Sequence, residues 1–209
     1  GSGVENIAFS GNGAPGPGLV MQGFESVLRH IRIINVPNIA LDVQKSNNPR
    51  WEHIYIDDCG TATLEGMRVW SKEGAGHAAE TNTLDINGLT IERCANTALT
   101  LGYKDGDPTN RDYYAEFVKI HNLHIESHNL NTGAGLGKGN LSPLIWIGDV
   151  RQVTLSSAFI YGGPGPLIAH NQNPNRQTWG NGGIKLIGGT LLGSNTENLP
   201  ATPHLIHHV

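Results

Sequence analysis

Trp51-Glu52-His53-Ile54-Tyr55-Ile56-Asp57-Asp58-Cys59 decides how this chain is read. Its apolar residues Trp51, Ile54 and Ile56 stand three and then two positions apart, and Ile54-Tyr55-Ile56 alternates as a strand with one buried face does. The same spacing recurs as Val4/Ile7/Phe9, Leu28/Ile31/Ile33, Ile86/Leu89/Ile91, Ile120/Leu123/Ile125, Leu155/Ala158/Ile160 and Leu186/Gly189/Leu191. These copies begin 23 to 35 residues apart, so a constant unit is separated by loops of varying length.

Eight residues after each start stands a turn position: Asn12, Val36, Cys59, Cys94, His128, Gly163 and Ser194. Asn, Asp or Gly often lies beside it and tolerates a tight corner. A second short strand follows, read at 39–43, 62–64, 98–101, 144–147 and 167–169, with Leu41, Leu64, Leu99 and Ile168 each 13 residues after a start. No helix long enough for a βαβ crossover intervenes, so the units bury their apolar faces by stacking. The expected fold is all-β: a single-stranded right-handed parallel β-helix, a solenoid of about seven rungs over residues 1–209, with handedness taken from the crossover rule. At about 4.8 Å per rung the body would be roughly 30 Å long. Cys59 and Cys94 share a position in adjacent units and are expected to stack as buried thiols. A disulfide is the alternative, although side chains on neighbouring parallel strands point the same way.

The stretches Gly3-Val4-Glu5-Asn6-Ile7-Ala8-Phe9-Ser10-Gly11-Asn12-Gly13 and Gly18-Leu19-Val20-Met21-Gln22 look like coils of bacteriophage tailspikes and tail fibres. Over nearly its whole length the chain resembles the pectin-lyase-like right-handed parallel β-helix superfamily. That resemblance implies a receptor-binding module of a virion tail spike or fibre, or an extracellular one, typically a homotrimer. Its partner would be the surface polysaccharide of a bacterial host, with depolymerisation by hydrolase or lyase chemistry as a further expectation. A non-catalytic spacer in such a fibre and a cellular polysaccharide lyase or hydrolase are the alternatives. No single family's catalytic motif is present, so no residue role carries over. A first strand opening at Val4 and a last one broken off within 202–209 are what a segment of a longer chain would show.

With 28 Gly, 11 Pro and 15% charged residues the composition excludes a helical bundle or coiled coil. No run approaches the roughly 18 apolar residues of a membrane span, so no membrane insertion is expected. A net charge of −4 offers no cationic footprint for nucleic acid. No cofactor and no metal are expected either. Gly11-Asn12-Gly13-Ala14-Pro15-Gly16 fits a dinucleotide fingerprint, but Pro15 and Pro17 stand where a helix must open. In 133–139 the phosphate-loop spacing lacks its first glycine and the residue after Lys138 is Gly139. His121, His124 and His128 would share a helix face but diverge on a strand and its corner.

Chemistry is expected on the outward positions. Six residues after each start the column reads Ser10, Ile34, Asp57, Glu92, Glu126, Tyr161 and Leu192, which places three carboxylates on consecutive rungs. Separations of about one and two strand spacings are near those of glycosidase carboxylate pairs. In that reading Glu126 is the general acid, Glu92 the base or nucleophile and Asp57 an alternative partner, with Arg93 the nearest group to stabilise an enolate. The alternatives are a solvated acidic face balanced by Arg93, Arg32 or Lys119, and a carboxylate ladder holding calcium. Tyr55 and His124 lie beside the acids, and His30 and His53 add groups able to donate and stack. Loops 68–82, 102–115, 129–143 and 170–182 are expected to wall a groove, with Trp70, Tyr103, Tyr113, Tyr114 and Trp179 stacking on sugar faces or pinning the loops.

Overall fold

The computed structural model describes residues 3–61, 63–70, 81–102, 115–126, 142–148, 150–162, 165–170, 183–192 and 206–208. Strands β1 (Gly3–Ser10), β2 (Leu19–Phe24), β3 (Val27–Val36), β4 (Leu41–Asn47), β5 (Arg50–Cys59), β6 (Met67–Trp70), β7 (Thr81–Asn82) and β8 (Asp85–Glu92) come first. They are followed by β9 (Leu99–Leu101), β10 (Ala115–Glu116), β11 (Val118–Glu126), β12 (Ile145–Ile147), β13 (Val153–Tyr161), β14 (Ile168–His170), β15 (Ile184–Leu192) and β16 (Ile206–His208). Among the described residues there is no helix.

These strands form two parallel sheets. One has seven strands in the order β1-β3-β5-β8-β11-β13-β15; the other has nine, running β10-β7-β4-β6-β9-β12-β14-β16 with β2 also paired to β4. The expected single-stranded right-handed β-helix of about seven rungs is therefore corrected. The all-β class stands, but the strands divide between two sheets, and β4 bonds to β2, β6 and β7 rather than to one neighbour on each side. Physically, the intervals between repeat units are not inert loop: two of them carry the short strands β7 and β10, which pair with each other and join the second sheet through β4.

The repeat spacing has a backbone cause. In every strand of the seven-stranded sheet the third residue of the repeat is left-handed: Asn6, His30, His53, Gly88, Asn122, Ser157 and Gly188 all have φ between 51° and 81°. The ladder steps over this residue, pairing Glu52 with Asn87 and then Ile54 with Leu89. One extra residue of opposite twist restores the inward direction after three positions instead of two, and only then does simple alternation resume. A second left-handed residue, Asn35, Asp58, Arg93 or Gly162, stands within one residue of the strand's end and turns the chain toward the other sheet. The corner thus falls one residue earlier than read from sequence. Val36, Cys59 and Cys94, expected at the turn, are buried in the core.

The second strands are also shifted in one unit. Leu41, Met67, Leu99, Ile145 and Ile168 share one column. The strand expected at 62–64 is instead Met67–Trp70, because the Thr61 N–H donates to the Leu64 carbonyl (3.1 Å) and closes a turn that inserts three residues. Inward side chains of both sheets meet in one apolar cluster running from Leu28 to Ile168. Each fully buried Ile or Leu there contributes about 1.5–3 kcal/mol. Trp51, the largest, satisfies its indole by donating from Nε1 to Ser26 Oγ (3.3 Å). Cys59 and Cys94 are buried thiols not joined in a disulfide. Burial pushes the Cys59 thiol up to about 11 and raises that of Cys94 well above the usual value.

Candidate functional site

Strands β5, β8, β11 and β13 lie side by side with their alternating residues in register, so two outward rows run across them. The acidic column read from sequence is one row: Asp57 pairs with Glu92, Glu92 with Glu126 and Glu126 with Tyr161. Two residues earlier on each strand runs the other: Tyr55, Thr90, His124 and Phe159. Tyr55 and His124 were legible; Phe159 was missed, although tabulating the position four residues after each start would have found it, as the position after six found the acids.

The three carboxylates are not equivalent. Asp57 is 3% exposed and is held by Arg93, whose Nε donates to Oδ1 (2.7 Å) while Nη2 donates to Oδ2. This fork-on-carboxylate pair is charge-assisted and planar, and it raises the guanidinium pKa further. Arg93 is thereby committed to Asp57. Glu92 and Glu126, expected to be the best sheltered of the column, are the partly exposed ones.

Between them stands His124. Its Nε2 lies 3.0 Å from Glu126 Oε2 and 3.8 Å from Glu92 Oε1. Glu92 Oε2 accepts a hydrogen bond from the Tyr55 hydroxyl (2.9 Å), which turns Oε1 toward the imidazole. Burial first, then the bond to Glu92 and the charges of Asp57 and Glu92, push the Tyr55 hydroxyl up to about 12, so it is a donor at neutral pH. The His124 ring stacks on Phe159 with centroids 5.0 Å apart and an 18° tilt, and Phe159 meets Tyr161 at 6.4 Å. Arg32 covers the Tyr55 ring at 5.3 Å. The result is a rigid face on which aromatic rings flank a carboxylate–imidazole–carboxylate group.

Other residues read as site candidates lie elsewhere. Trp70 ends β6 in the other sheet, where Nε1 donates to Asp42 Oδ1 (2.7 Å) and Arg68 packs over the ring at 5.2 Å. Tyr103, Tyr113, Tyr114 and Trp179 fall outside the described residues, as does most of the expected loop groove. His30 and His53 stack on adjacent strands at 4.9 Å and 6°. His121 bonds Ser156 Oγ through Nδ1 (2.6 Å) and lies 3.7 Å from Asp85; it does not join His124, and His128 is outside the described residues. Comparison of the chain with protein-family models, with curated proteins and with solved structures finds no match.

Proposed function

We propose that the outer face of the seven-stranded sheet binds a glycan. The observation that carries this reading is the pair of in-register rows, with Tyr55, His124 and Phe159 beside Glu92, Glu126 and Tyr161. Aromatic faces suit the apolar faces of sugar rings, and carboxylates accept hydrogen bonds from their hydroxyls. From β5 to β13 the row spans three strand spacings, about 14 Å, the length of an oligosaccharide rather than of one sugar. Because each member is anchored to a parallel ladder, little ordering entropy is lost on binding. The space between Glu92 and Glu126 is filled by an imidazole rather than left for a scissile bond, and this favours recognition over hydrolysis.

The tailspike resemblance read from sequence makes bacterial surface polysaccharide the first class to screen, and a receptor-binding module of a virion or extracellular fibre, in a homotrimer, the setting. The test is glycan-array binding paired with a reducing-end assay on the bound polysaccharides. Binding that falls at least tenfold in Tyr55→Ala and Phe159→Ala, with no oligosaccharide released, supports the proposal. Release of reducing ends that disappears in Glu126→Gln would instead make the face a depolymerase site. Neither binding nor release would favour the spacer.

A further inference from the structure

We propose that Glu92, His124 and Glu126 form a binding site for a first-row divalent metal ion of the Zn2+ class. Each residue presents one ligating atom outward from two paired strands, and these atoms all lie within 4.8 Å of one another. A zinc ion bound at about 2.0–2.1 Å holds its ligands about 3.3 Å apart along a tetrahedral edge. The His124 Nε2 separations of 3.0 and 3.8 Å from the two carboxylate oxygens bracket that edge, and the third edge, between the two carboxylates, lies within 4.8 Å, so closing the set asks the glutamate side chains to draw together around the ion. An imidazole beside two carboxylates, with three protein ligands rather than six, suits zinc or its neighbours and not calcium.

Two further observations point the same way. Among the described residues neither Glu92 nor Glu126 is ion-paired with a lysine or arginine, and Arg93, one of the residues expected to balance the column, is bound to Asp57. A dication supplies the missing charge. The ligands are also oriented from outside the set: Tyr55 donates to the distal oxygen of Glu92, and Phe159 stacks against the imidazole. Such outer contacts tune metal affinity about 10–100-fold. Three ligands on an open sheet face leave a fourth position toward solvent, where water or a ligand oxygen binds. The set combines two of the carboxylates expected to form a calcium-holding ladder with the histidine expected beside them, and it is the imidazole that changes the metal class.

The experiment strips the full chain with a chelator, titrates Zn2+ against a chromophoric competitor and records the visible d–d bands of bound Co2+, all without glycan. One equivalent bound with micromolar or better affinity, and affinity reduced at least tenfold in both His124→Ala and Glu126→Gln, is the expected result. Tyr55→Phe should weaken binding by a smaller factor. The chain's neighbouring His207 and His208 are a competing source of binding, so the double variant His207→Ala/His208→Ala should keep the site. Circular dichroism checks the fold of each variant, and the two ligand variants fail independently. No bound metal at micromolar concentration, or binding unchanged in the ligand variants, or binding lost in the double variant, overturns the proposal. Loss of glycan binding with metal binding intact would overturn only the preceding reading.

Discussion

On the seven-stranded sheet the outward residues Tyr55, Glu92, His124 and Glu126 are partly exposed, with Asp57 the buried exception, whereas on the nine-stranded sheet the outward residues Asp42 and Gln44 are buried. The buried set shows what burial demands of polar atoms. Asp42 accepts from Trp70 Nε1 (2.7 Å) and from Gln44 Nε2, and Gln44 accepts in turn from Gln22 Nε2 (2.9 Å). Arg68 donates to Glu65 at 2.5 Å and stacks on Trp70. Such a network holds structure in place, because each partner left unpaired costs its full desolvation. On the open face water can replace a lost partner, so the same residue types are free to serve a ligand.

That contrast can be broken by substitution. The largest effect is expected from the core both sheets share: Ile91→Ala, at a fully buried position beneath the open face, should cost about 3–4 kcal/mol by urea denaturation. Circular dichroism and tryptophan fluorescence should report one common transition; separate midpoints would show that the sheets unfold independently. Next comes Asp42→Ala, which strips the acceptor from Trp70 and Gln44 and should lower stability by about 2–3 kcal/mol. A loss below about 0.5 kcal/mol would show that the buried network is not structural.

A third effect comes from the thiols buried in the core just past the corners. The folded Cys59 pKa, near 11, lies above its ordinary value of 9, so the folded state holds the proton longer than the unfolded one. The stability this provides is complete below about pH 9 and declines as pH rises toward 11, by on the order of 2 kcal/mol; Cys94 shifts in the same direction. Denaturation midpoints that stay flat from pH 8 to 11 would contradict it. The smallest stability effect belongs to the open face. Glu126→Gln should change stability by less than about 0.5 kcal/mol, since the carboxylate is partly exposed and its partner is an imidazole. A larger cost would place Glu126 with the structural residues and erase the contrast between the sheets.

Much of the seven-stranded sheet was legible because alternation records which side chains face the core. The acidic row emerged in the register observed, and Cys59 and Cys94 are buried as expected. The second sheet was less so. Its strands are as short as two or three residues, too brief for a period to stand out, and one inserted turn moved the column from Leu64 to Met67. Ser157 in left-handed conformation gave no sequence signal, for serine does not favour it as glycine or asparagine does.

By itself, then, the order of residues determined the strand character, the repeat and the rows of outward side chains, because these follow from a local period of burial. Only the tertiary structure decided that the strands share two sheets, that Arg93 closes on Asp57, and that His124 stands between Glu92 and Glu126. Those outcomes depend on which strand pairs with which and on which side chain reaches a partner 32 to 36 residues away, a competition among contacts that no local period encodes.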